Sequence, residues 1–242
     1  MLATWRIRPV GEYAVLIEFG SAIDEQINRQ VHHIAHWIRA QMPLVRDVIP
    51  AYTTVLVLYS PEMGGLDWNG LVAEALATMP AQDTRGRRVT LPVAYGEEFG
   101  PDLNDVAQMH QMQRDAVIAA HAGKDYRVYC LGFSPGFPFL GPVLEAIRAP
   151  RRPTPRSTVP AGSVGIAEQQ TGIYATATPG GWQIIGRTPI RLFRPELDAP
   201  IPYEPGDVVR FWPIDAKMYQ VLANDPAIQN GPWPDQLWEG GW

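Results

Sequence analysis

The sequence predicts an α+β fold in two domains, a small ferredoxin-like α/β domain over residues 1–86 and a domain of short strands over residues 87–242. Two observations support this division. Strand patterns alternate with amphipathic helix patterns up to a polar link at residues 81–86. Beyond residue 126 every strand pattern is short and bounded by Gly or Pro, which is typical of a β-barrel or a β-sandwich.

For the N-terminal domain the sequence predicts the element order β-α-β-β-α-β, which is typical of a ferredoxin-like sandwich. Its first helix extends from Asp24 to Gln41, with apolar residues at helical spacing, Asp24 as the N-cap and Pro43 shortly after the end. The other predicted elements are strands at residues 13–19, 45–49 and 53–59, a helix at residues 66–79, and a strand at residues 89–93 that closes the sheet.

The second domain begins with two predicted short helices, at residues 102–109 with Asp102 as the N-cap and at residues 114–121. Strands are predicted at residues 126–131, 163–166, 172–176, 183–186, 190–193 and 208–212. The tail from residue 224 contains Trp233, Trp238 and Trp242 among Pro and Gly residues. We expect this tail to wrap around the domain, with contact to a partner as the alternative.

The composition excludes several classes of protein. A net charge of -5 argues against a general nucleic-acid binder, which needs a basic surface. No apolar run approaches the roughly 20 residues of a membrane helix. The N-terminus lacks the pattern of a secretory signal, and the single cysteine allows no internal disulfide, so a cytoplasmic protein is expected. That cysteine, Cys130, is expected in the core, with a reactive thiol as the alternative.

Residues 131–141, LGFSPGFPFLG, contain the G-x-S-x-G spacing of a nucleophile elbow around Ser134. We reject a nucleophilic Ser134, because the following prolines and glycines forbid the required helix and because all five histidines precede it. The run instead predicts a rigid, hairpin-like loop with the aromatic side chains of Phe133, Phe137 and Phe139. Such a loop either binds a ligand or forms a packed barrel corner without one.

The segment 148–156 predicts an anion-binding surface. Four arginines lie there between prolines. The longer stretch from residue 146 to residue 194 contains seven arginines and only one acidic residue, Glu168. Arginine forks recognise carboxylates and phosphates, and the prolines keep the segment extended. The segment would bind an acidic substrate or an acidic partner surface, and a merely solvated basic loop is the alternative.

The glycine-rich segment that follows favours a small polar ligand. Gly180 and Gly181 precede Trp182, which indicates a backbone turn that a larger residue would block, next to a flat apolar wall. Neutral hydrogen-bonding side chains lie nearby in the sequence, namely Gln169, Thr171, Tyr174, Gln183 and Thr188. The sequence contains no metal-binding pattern, P-loop or dinucleotide fingerprint, so no metal site and no cofactor are predicted for this chain itself.

These motifs resemble those of a known family. The run LGFSPGFPFLG, followed by RRPTPRSTVPAGSVGIAEQQTGIYATATPGGWQIIGRTPIRLF, is similar to the family of bacterial 5-oxoprolinase B subunits, also called allophanate hydrolase subunit 1 or KipI-like. The resemblance implies a small α/β N-terminal domain and a cyclophilin-like β-barrel. It also implies a hetero-oligomer in which this chain works with a C subunit, similar to allophanate hydrolase subunit 2, and with an A subunit. The assembled complex would cleave 5-oxo-L-proline to L-glutamate and consume ATP.

The resemblance extends residue by residue to candidate positions for binding a substrate or a partner, without a catalytic assignment for any of them. They are Phe133, Pro135, Gly136, Phe137, Arg156, Gly162, Ser163, Gln169, Thr171, Tyr174, Gly180, Gly181, Trp182 and Arg187. The implied chemistry needs a cation for the substrate carboxylate, for which Arg156 and Arg187 are candidates. It also needs backbone N–H groups for the oxygen charge that develops when the lactam opens.

Two other functions stay open. One KipI-type member of the family inhibits a sporulation histidine kinase, and other relatives are domains of urea carboxylase that act in carboxyl transfer. The barrel motifs do not separate these functions from lactam hydrolysis. Because the sequence contains no nucleotide-binding motif, we expect the isolated chain to be inactive.

Overall fold

The computed structural model describes residues 4–80 and 86–240, and the chain divides into two units, Met1–Thr84 and Arg85–Trp242. The polar link predicted at residues 81–86 lies outside the described residues except for Gly86, as does Trp242. No helix of the described residues is long and apolar enough to cross a membrane.

The first unit is a four-stranded antiparallel sheet with the strand order β1-β2-β4-β3. Its strands are β1 (Arg6–Pro9), β2 (Ala14–Glu18), β3 (Val45–Pro50) and β4 (Thr54–Tyr59). Helix α1 (Glu25–Gln41) follows β2, and a 3-10 turn (Pro61–Met63) leads into α2 (Trp68–Ala77). Both helices bury their apolar residues against the sheet in one core.

The start of α1 confirms the predicted cap. The side chain of Asp24 accepts hydrogen bonds from the backbone N–H groups of Gln26 and Ile27, at 2.8 and 2.9 Å. The predicted apolar stripe is also confirmed, since Val31 and Ile34 are fully buried. The helix ends one residue before Met42, close to the predicted stop.

The prediction that residues 89–93 close this sheet is wrong, and the ferredoxin-like order is therefore not confirmed. The unit has the order β-β-α-β-β-α, and the edge position beside β2 belongs to β1 from the N-terminus. The predicted strand forms part of β5 (Arg88–Tyr95), in which residues 89–94 are all buried. A strand buried on both faces suits a barrel covered by helices better than an open-faced sheet.

The second unit contains a closed seven-stranded barrel in the order β10-β7-β6-β13-β5-β12-β9. Its strands are β5, β6 (Asp125–Leu131), β7 (Pro138–Gly141), β9 (Ser163–Ala167), β10 (Gln170–Ile173), β12 (Gln183–Arg187) and β13 (Val208–Ile214). A separate two-stranded sheet pairs β8 (Arg156–Val159) with β11 (Thr178–Gly180). The predicted barrel is therefore present, although no strand forms at residues 190–193 and β7 was not predicted.

Helices cover and complete the barrel. The two predicted short helices are confirmed as α3 (Leu103–Met109) and α4 (Arg114–Ala122). The C-terminal tail adds α5 (Ala216–Asn224), α6 (Pro226–Asn230) and α7 (Gln236–Glu239). A further 3-10 turn (Glu145–Ile147) precedes the arginine-rich segment.

A buried arginine holds the tail on the barrel. Arg194 is 0% exposed, and its guanidinium donates hydrogen bonds to the carbonyl groups of Arg191 and Gly231, both at 2.9 Å. The guanidinium also lies 4.1 Å from the centre of the Trp233 ring, a cation–π distance. The indole N–H of Trp233 donates to the carbonyl of Ala199 at 2.9 Å. The described part of the tail, up to Gly240, thus packs on its own domain, as the sequence led us to expect.

The barrel interior contains a chain of hydrogen bonds through one buried histidine. His121 is 0% exposed and stacks on Phe211 at 4.6 Å. Thr171 donates its hydroxyl hydrogen to the carbonyl of Gly165, so the Nε2–H of His121 donates to Thr171, and Nδ1 accepts from the hydroxyl of Tyr95. Burial lowers the pKa of His121 to about 3 and keeps the ring neutral.

This histidine makes stability depend on pH. The unfolded chain gains a proton on His121 as the pH falls below its ordinary pKa of 6.5, whereas the folded protein gains it only near 3. The stability it contributes is therefore complete above pH 6.5 and is lost as the pH falls towards 3, by about 1.4 kcal/mol per pH unit. Urea unfolding at about pH 7 and about pH 5 should show this loss in the wild type. In His121→Gln the free energy of unfolding should fall less between the two pH values. An equal fall of the free energy of unfolding in both proteins would show that His121 does not cause the pH dependence.

Candidate functional site

The three sequence motifs converge on one aromatic cleft of about 250 Å³ in the second unit. The turn after β6, the arginine-rich segment and the turn between β11 and β12 each contribute one wall. The lining residues are Phe133, Phe137, Phe139, Arg151, Pro155, Tyr174, Pro179, Gly180, Gly181 and Trp182. We call this cavity the aromatic cleft. Aromatic walls with one guanidinium suit a small ligand that has an apolar body and a negative charge.

The turn between β6 and β7 holds an exposed aromatic ring in a strained backbone. Phe133 has a φ of 64° and is 64% exposed, although a bulky residue rarely adopts this left-handed conformation. Its ring meets Phe137 edge-on, with the ring centres 5.4 Å apart. Exposed Pro135 lies in the same turn, and Gly136, at a φ of 75°, accepts a hydrogen bond from the hydroxyl of Tyr203. Strain of this kind is typical of functional sites.

The structure agrees with the rejection of Ser134 as a nucleophile. The chain continues from Ser134 through a tight turn into β7, so no helix follows it. The hydroxyl oxygen of Ser134 is buried and has no hydrogen-bond partner among the described residues. A nucleophile elbow needs both the helix and a neighbouring base, so this turn has a different task.

The floor of the aromatic cleft is a cluster of edge-to-face rings. Phe137 lies 5.2 Å from Tyr174 and 5.4 Å from Trp182, both at nearly perpendicular angles. Burial raises the pKa of the Tyr174 hydroxyl, while the backbone N–H of Trp182 and the charges of Arg151 and Arg156 act in the opposite direction. Tyr174 is therefore a neutral phenol within the electrostatic reach of two guanidinium groups.

The two adjacent glycines of the cleft differ in what they allow. A Cβ atom on Gly180 would lie 2.3 Å from the hydroxyl oxygen of Tyr174, whereas one on Gly181 would find its nearest neighbour, Pro155, at 3.6 Å. Only Gly180 is therefore required for close approach. The predicted block to a larger residue is therefore present at Gly180, whereas a single methyl group finds room at Gly181.

A buried carboxylate organises the arginine-rich segment. Asp102 is 2% exposed, and its Oδ1 accepts hydrogen bonds from Arg152 Nη1 and Arg156 Nη2, each at 2.7 Å. Its Oδ2 accepts from the backbone N–H of Ile184, also at 2.7 Å. Asp102 is at the predicted N-cap position of α3, but its side chain makes no capping hydrogen bond to that helix. The carboxylate instead fixes two guanidinium groups at β12.

The cleft gathers part of the predicted set. The candidates that line it are Phe133, Phe137, Tyr174, Gly180, Gly181 and Trp182. Arg156 belongs to the same region, since its charge acts on the Tyr174 hydroxyl. Sequence reasoning assigned Asp102 only an N-cap role and did not identify it as the residue that orients Arg156. The signal in the sequence was the excess of arginines over acids between residues 146 and 194. Because buried arginines are normally paired, an acid from elsewhere in the chain was to be expected near them.

Several candidates lie outside the aromatic cleft. Thr171 points into the barrel, where it binds the buried histidine. Ser163 and Arg187 lie opposite each other on β9 and β12, and Gly162, at a φ of 83°, forms the turn before β9. Gln169 lies in the turn between β9 and β10, where its carbonyl accepts from a backbone N–H at 2.8 Å. None of them is among the lining residues of the cleft, although Gly162 donates a backbone hydrogen bond to the lining residue Tyr174 at 2.7 Å and Ser163 accepts one from it at 2.8 Å.

The fold and the sequence define a carboxyltransferase-type domain. The family model described as "Carboxyltransferase domain, subdomain C and D" matches residues 5–203. The chain is 43% identical to the 5-oxoprolinase B subunit of Bacillus subtilis (strain 168), across 93% of this chain and 99% of that protein. It is 40% identical to the corresponding B subunit of Escherichia coli O157:H7, across 84% of this chain and 94% of that protein. The chain belongs to the family of 5-oxoprolinase B subunits.

Solved structures agree with this family. PH0987, a conserved uncharacterized protein from Pyrococcus horikoshii, is 44% identical with a TM-score of 0.55, over 88% of this chain and 100% of that one. TTHA0988 is 37% identical with a TM-score of 0.74, over 84% of this chain but only 40% of that one. Urea carboxylase from Kluyveromyces lactis, at 19% identity and a TM-score of 0.71 over 95% of this chain and 23% of that one, shares the fold.

Proposed function

We propose that this chain is one subunit of an ATP-dependent 5-oxoprolinase complex, which cleaves 5-oxo-L-proline to L-glutamate together with a C subunit and an A subunit. The observation that carries the proposal is the similarity to curated B subunits over nearly their whole length. The B subunit of an enzyme implies further subunits. Because the sequence has no nucleotide-binding motif, ATP would be consumed in the assembled complex and the chain alone would be inactive.

The aromatic cleft supports a role in holding the substrate. A five-membered lactam ring with one carboxylate fits a cavity of about 250 Å³ with aromatic walls. Arg151 lines the cleft, and Arg156 acts electrostatically on its Tyr174, so either guanidinium can pair with the carboxylate. Neither Arg156 nor Arg187, the two cations considered from the sequence, is among the lining residues. The charge of Arg156 acts on the Tyr174 hydroxyl, and Arg156 is therefore the stronger of these two candidates.

Opening the lactam with ATP requires an activated amide oxygen and attack by water on the adjacent carbon. The tasks left to this chain are to bind the carboxylate, to orient the ring, and to exclude water from its apolar side. The exposed side chain of Phe133, on a backbone with positive φ, is placed to cover the lactam ring of a bound substrate. In this proposal no residue of this chain forms a covalent bond with the substrate.

The adjacent glycines supply a matched test of this role. In the complex assembled with the A and C subunits, Gly180→Ala should lower kcat/KM for 5-oxoproline by about tenfold or more, because the new methyl group displaces Tyr174. Gly181→Ala adds the same atoms one residue away without a close contact, and should keep the wild-type value. The measurement is ATP-dependent glutamate release under steady-state conditions.

Wild-type kcat/KM in both variants would show that the cleft takes no part in the reaction. Failure of the chain to co-elute with the C subunit would contradict the proposal that it is a subunit of this enzyme. A carboxyl-transfer role is the second candidate, because the family model that matches residues 5–203 carries that description. Carboxylation of a urea-type substrate by the assembled complex, in the absence of glutamate release, would favour it.

A further inference from the structure

One buried tyrosine reaches from the barrel core to the loop that carries Phe133. We call residues 132–137 the β6–β7 turn, and its exposed ring, Phe133, lines the aromatic cleft. Tyr203 is fully buried in the main core of the barrel, whereas Phe137 belongs to the separate aromatic cluster at the cleft. The hydroxyl of Tyr203 donates a hydrogen bond to the carbonyl of Gly136 at 2.8 Å. This bond joins the barrel core to the β6–β7 turn.

The β6–β7 turn has a strained backbone that needs support. Phe133 is the central residue of a γ-turn, in which the N–H of Ser134 donates to the carbonyl of Gly132 at 2.7 Å. With a φ of 64° at Phe133, this is the rare and strained form of the γ-turn. The turn closes through two longer hydrogen bonds, from Gly132 to Phe137 at 3.2 Å and from Phe137 to Ser134 at 3.1 Å. Because strain persists only where the surroundings hold the backbone, contacts from outside the turn are needed.

The segment that carries Tyr203 is itself fixed to the barrel. The N–H of Glu204 donates to the carboxylate of Asp207 at 2.9 Å. Val128 of β6 exchanges two backbone hydrogen bonds with the same segment, since its N–H donates to the carbonyl of Asp207 and its carbonyl accepts from the N–H of Gly206, both at 2.8 Å. The strand that leads into the β6–β7 turn therefore holds the backbone next to Tyr203, and the side chain of Tyr203 reaches forward to the end of that turn.

The β6–β7 turn is also closely packed at Gly136. A Cβ atom on Gly136 would lie 2.8 Å from Cγ2 of Ile201 and 3.1 Å from Cβ of Ala175, so the backbone has no room to move towards these side chains. The hydrogen bond from Tyr203 opposes movement in the other direction. Burial raises the pKa of the Tyr203 hydroxyl, so this group stays protonated and remains a donor over the ordinary pH range.

We propose that Tyr203 is a positioning residue, whose hydroxyl holds the β6–β7 turn so that the ring of Phe133 stays at the aromatic cleft. Tyr203 does not line the cleft, so it acts through Phe133. Without the hydroxyl, the backbone of Phe133 relaxes, and its ring leaves the edge-on contacts with Phe137 and Tyr174, whose ring centres lie 5.4 and 6.2 Å away. The consequence for the substrate rests on the proposed function, in which Phe133 covers the lactam ring.

A second buried tyrosine provides a matched control. Tyr126 is also fully buried, and its hydroxyl donates to the carbonyl of His121 at 2.9 Å, away from the lining of the cleft. Amide hydrogen exchange of the full chain, followed by NMR, gives the exchange rate of the Phe137 N–H relative to that of the Val106 N–H in α3. Tyr203→Phe keeps the ring and should raise this ratio by about tenfold, whereas Tyr126→Phe should leave it unchanged. An unchanged ratio in Tyr203→Phe, or an equal rise in both variants, would overturn the proposal.

Steady-state kinetics of the complex assembled with the A and C subunits test the consequence for the substrate. Tyr203→Phe should raise KM for 5-oxoproline about fivefold and change kcat by less than about twofold, whereas Tyr126→Phe should keep both values. Phe133→Ala should raise KM by itself, and adding Tyr203→Phe to it should cause no further rise, because the tyrosine acts through that ring. A further rise in the double variant, or a wild-type KM in Tyr203→Phe, would contradict the positioning role. If the wild-type complex releases no glutamate, the proposed function is wrong, and the exchange ratio alone decides whether Tyr203 holds the turn.

Discussion

Replacing Asp102 with alanine is expected to lower the free energy of unfolding by about 3–5 kcal/mol, the usual effect of removing one partner from a buried ion pair. The carboxylate is 2% exposed and accepts from Arg152, Arg156 and the backbone N–H of Ile184. Its removal leaves a buried N–H on β12 without a partner and two guanidinium groups without their shared anion. No other carboxylate that the structure describes contacts these two arginines.

Urea unfolding followed by tryptophan fluorescence measures this change. Asp102→Asn keeps the volume and one acceptor oxygen, so it should cost less than Asp102→Ala. Asp105→Ala removes an exposed carboxylate from the same helix, and its effect should stay within about 0.5 kcal/mol. A result for Asp102→Ala that equals the Asp105→Ala control would show that the ion pairs contribute nothing to stability. The loss should extend to the aromatic cleft, because Asp102 orients Arg156 and the charge of Arg156 acts on the Tyr174 hydroxyl.

Two aspartates show where local sequence reasoning succeeds and where it fails. Asp24 and Asp102 both precede a helix, and the sequence assigns both the same capping role. Asp24 caps α1, because no stronger partner competes for its exposed side chain. Asp102 lies against β12 and a distant pair of arginines, and two charge-assisted bonds there outweigh a backbone cap. The difference depends on contacts between residues 50 or more positions apart, which no local pattern contains.

The same limit explains the sheet of the first unit. The pattern of residues 89–93 predicts a strand correctly, but it does not say which sheet that strand joins. The neighbours of β5 are β12 and β13, about 90 and 120 residues further along the chain. Strand type is encoded locally, whereas pairing depends on the whole chain.

The candidate site was more predictable, because glycine, proline and aromatic motifs fix loop shapes locally. Three separate motifs supply the walls of the aromatic cleft. The sequence motifs do not show to which face of a strand each side chain points. Thr171 and Gly172 are neighbours on β10, yet Thr171 points into the barrel, whereas a Cβ on Gly172 would lie 2.9 Å from Phe137 on the outside. Successive strand residues face opposite sides, so a contiguous motif is divided between the core and the site.

The second large effect is expected for Gly100→Ala. A Cβ atom on Gly100 would lie 1.9 Å from the carbonyl oxygen and 2.1 Å from the carbonyl carbon of Ile185. Both contacts are to backbone, so no side chain can turn away and the segment must separate from β12. The free energy of unfolding should fall by about 3 kcal/mol or more, at the upper end of overpacking effects. Gly132→Ala is the matched control, because its nearest neighbour, a ring carbon of Phe139, lies at 3.7 Å.

The position of Gly100 makes its effect more than a loss of stability. Two residues later, Asp102 exchanges hydrogen bonds with Ile184, since its N–H donates to the carbonyl of Ile184 and its carboxylate accepts from the N–H. Displacing the segment at Gly100 moves this carboxylate away from Arg152 and Arg156. Gly100→Ala should therefore lower kcat/KM for 5-oxoproline in the proposed assembled complex even at temperatures where the protein stays folded, whereas Gly132→Ala should not. A wild-type kcat/KM in a destabilised Gly100→Ala protein would show that the close approach supports the barrel alone and does not position the arginines.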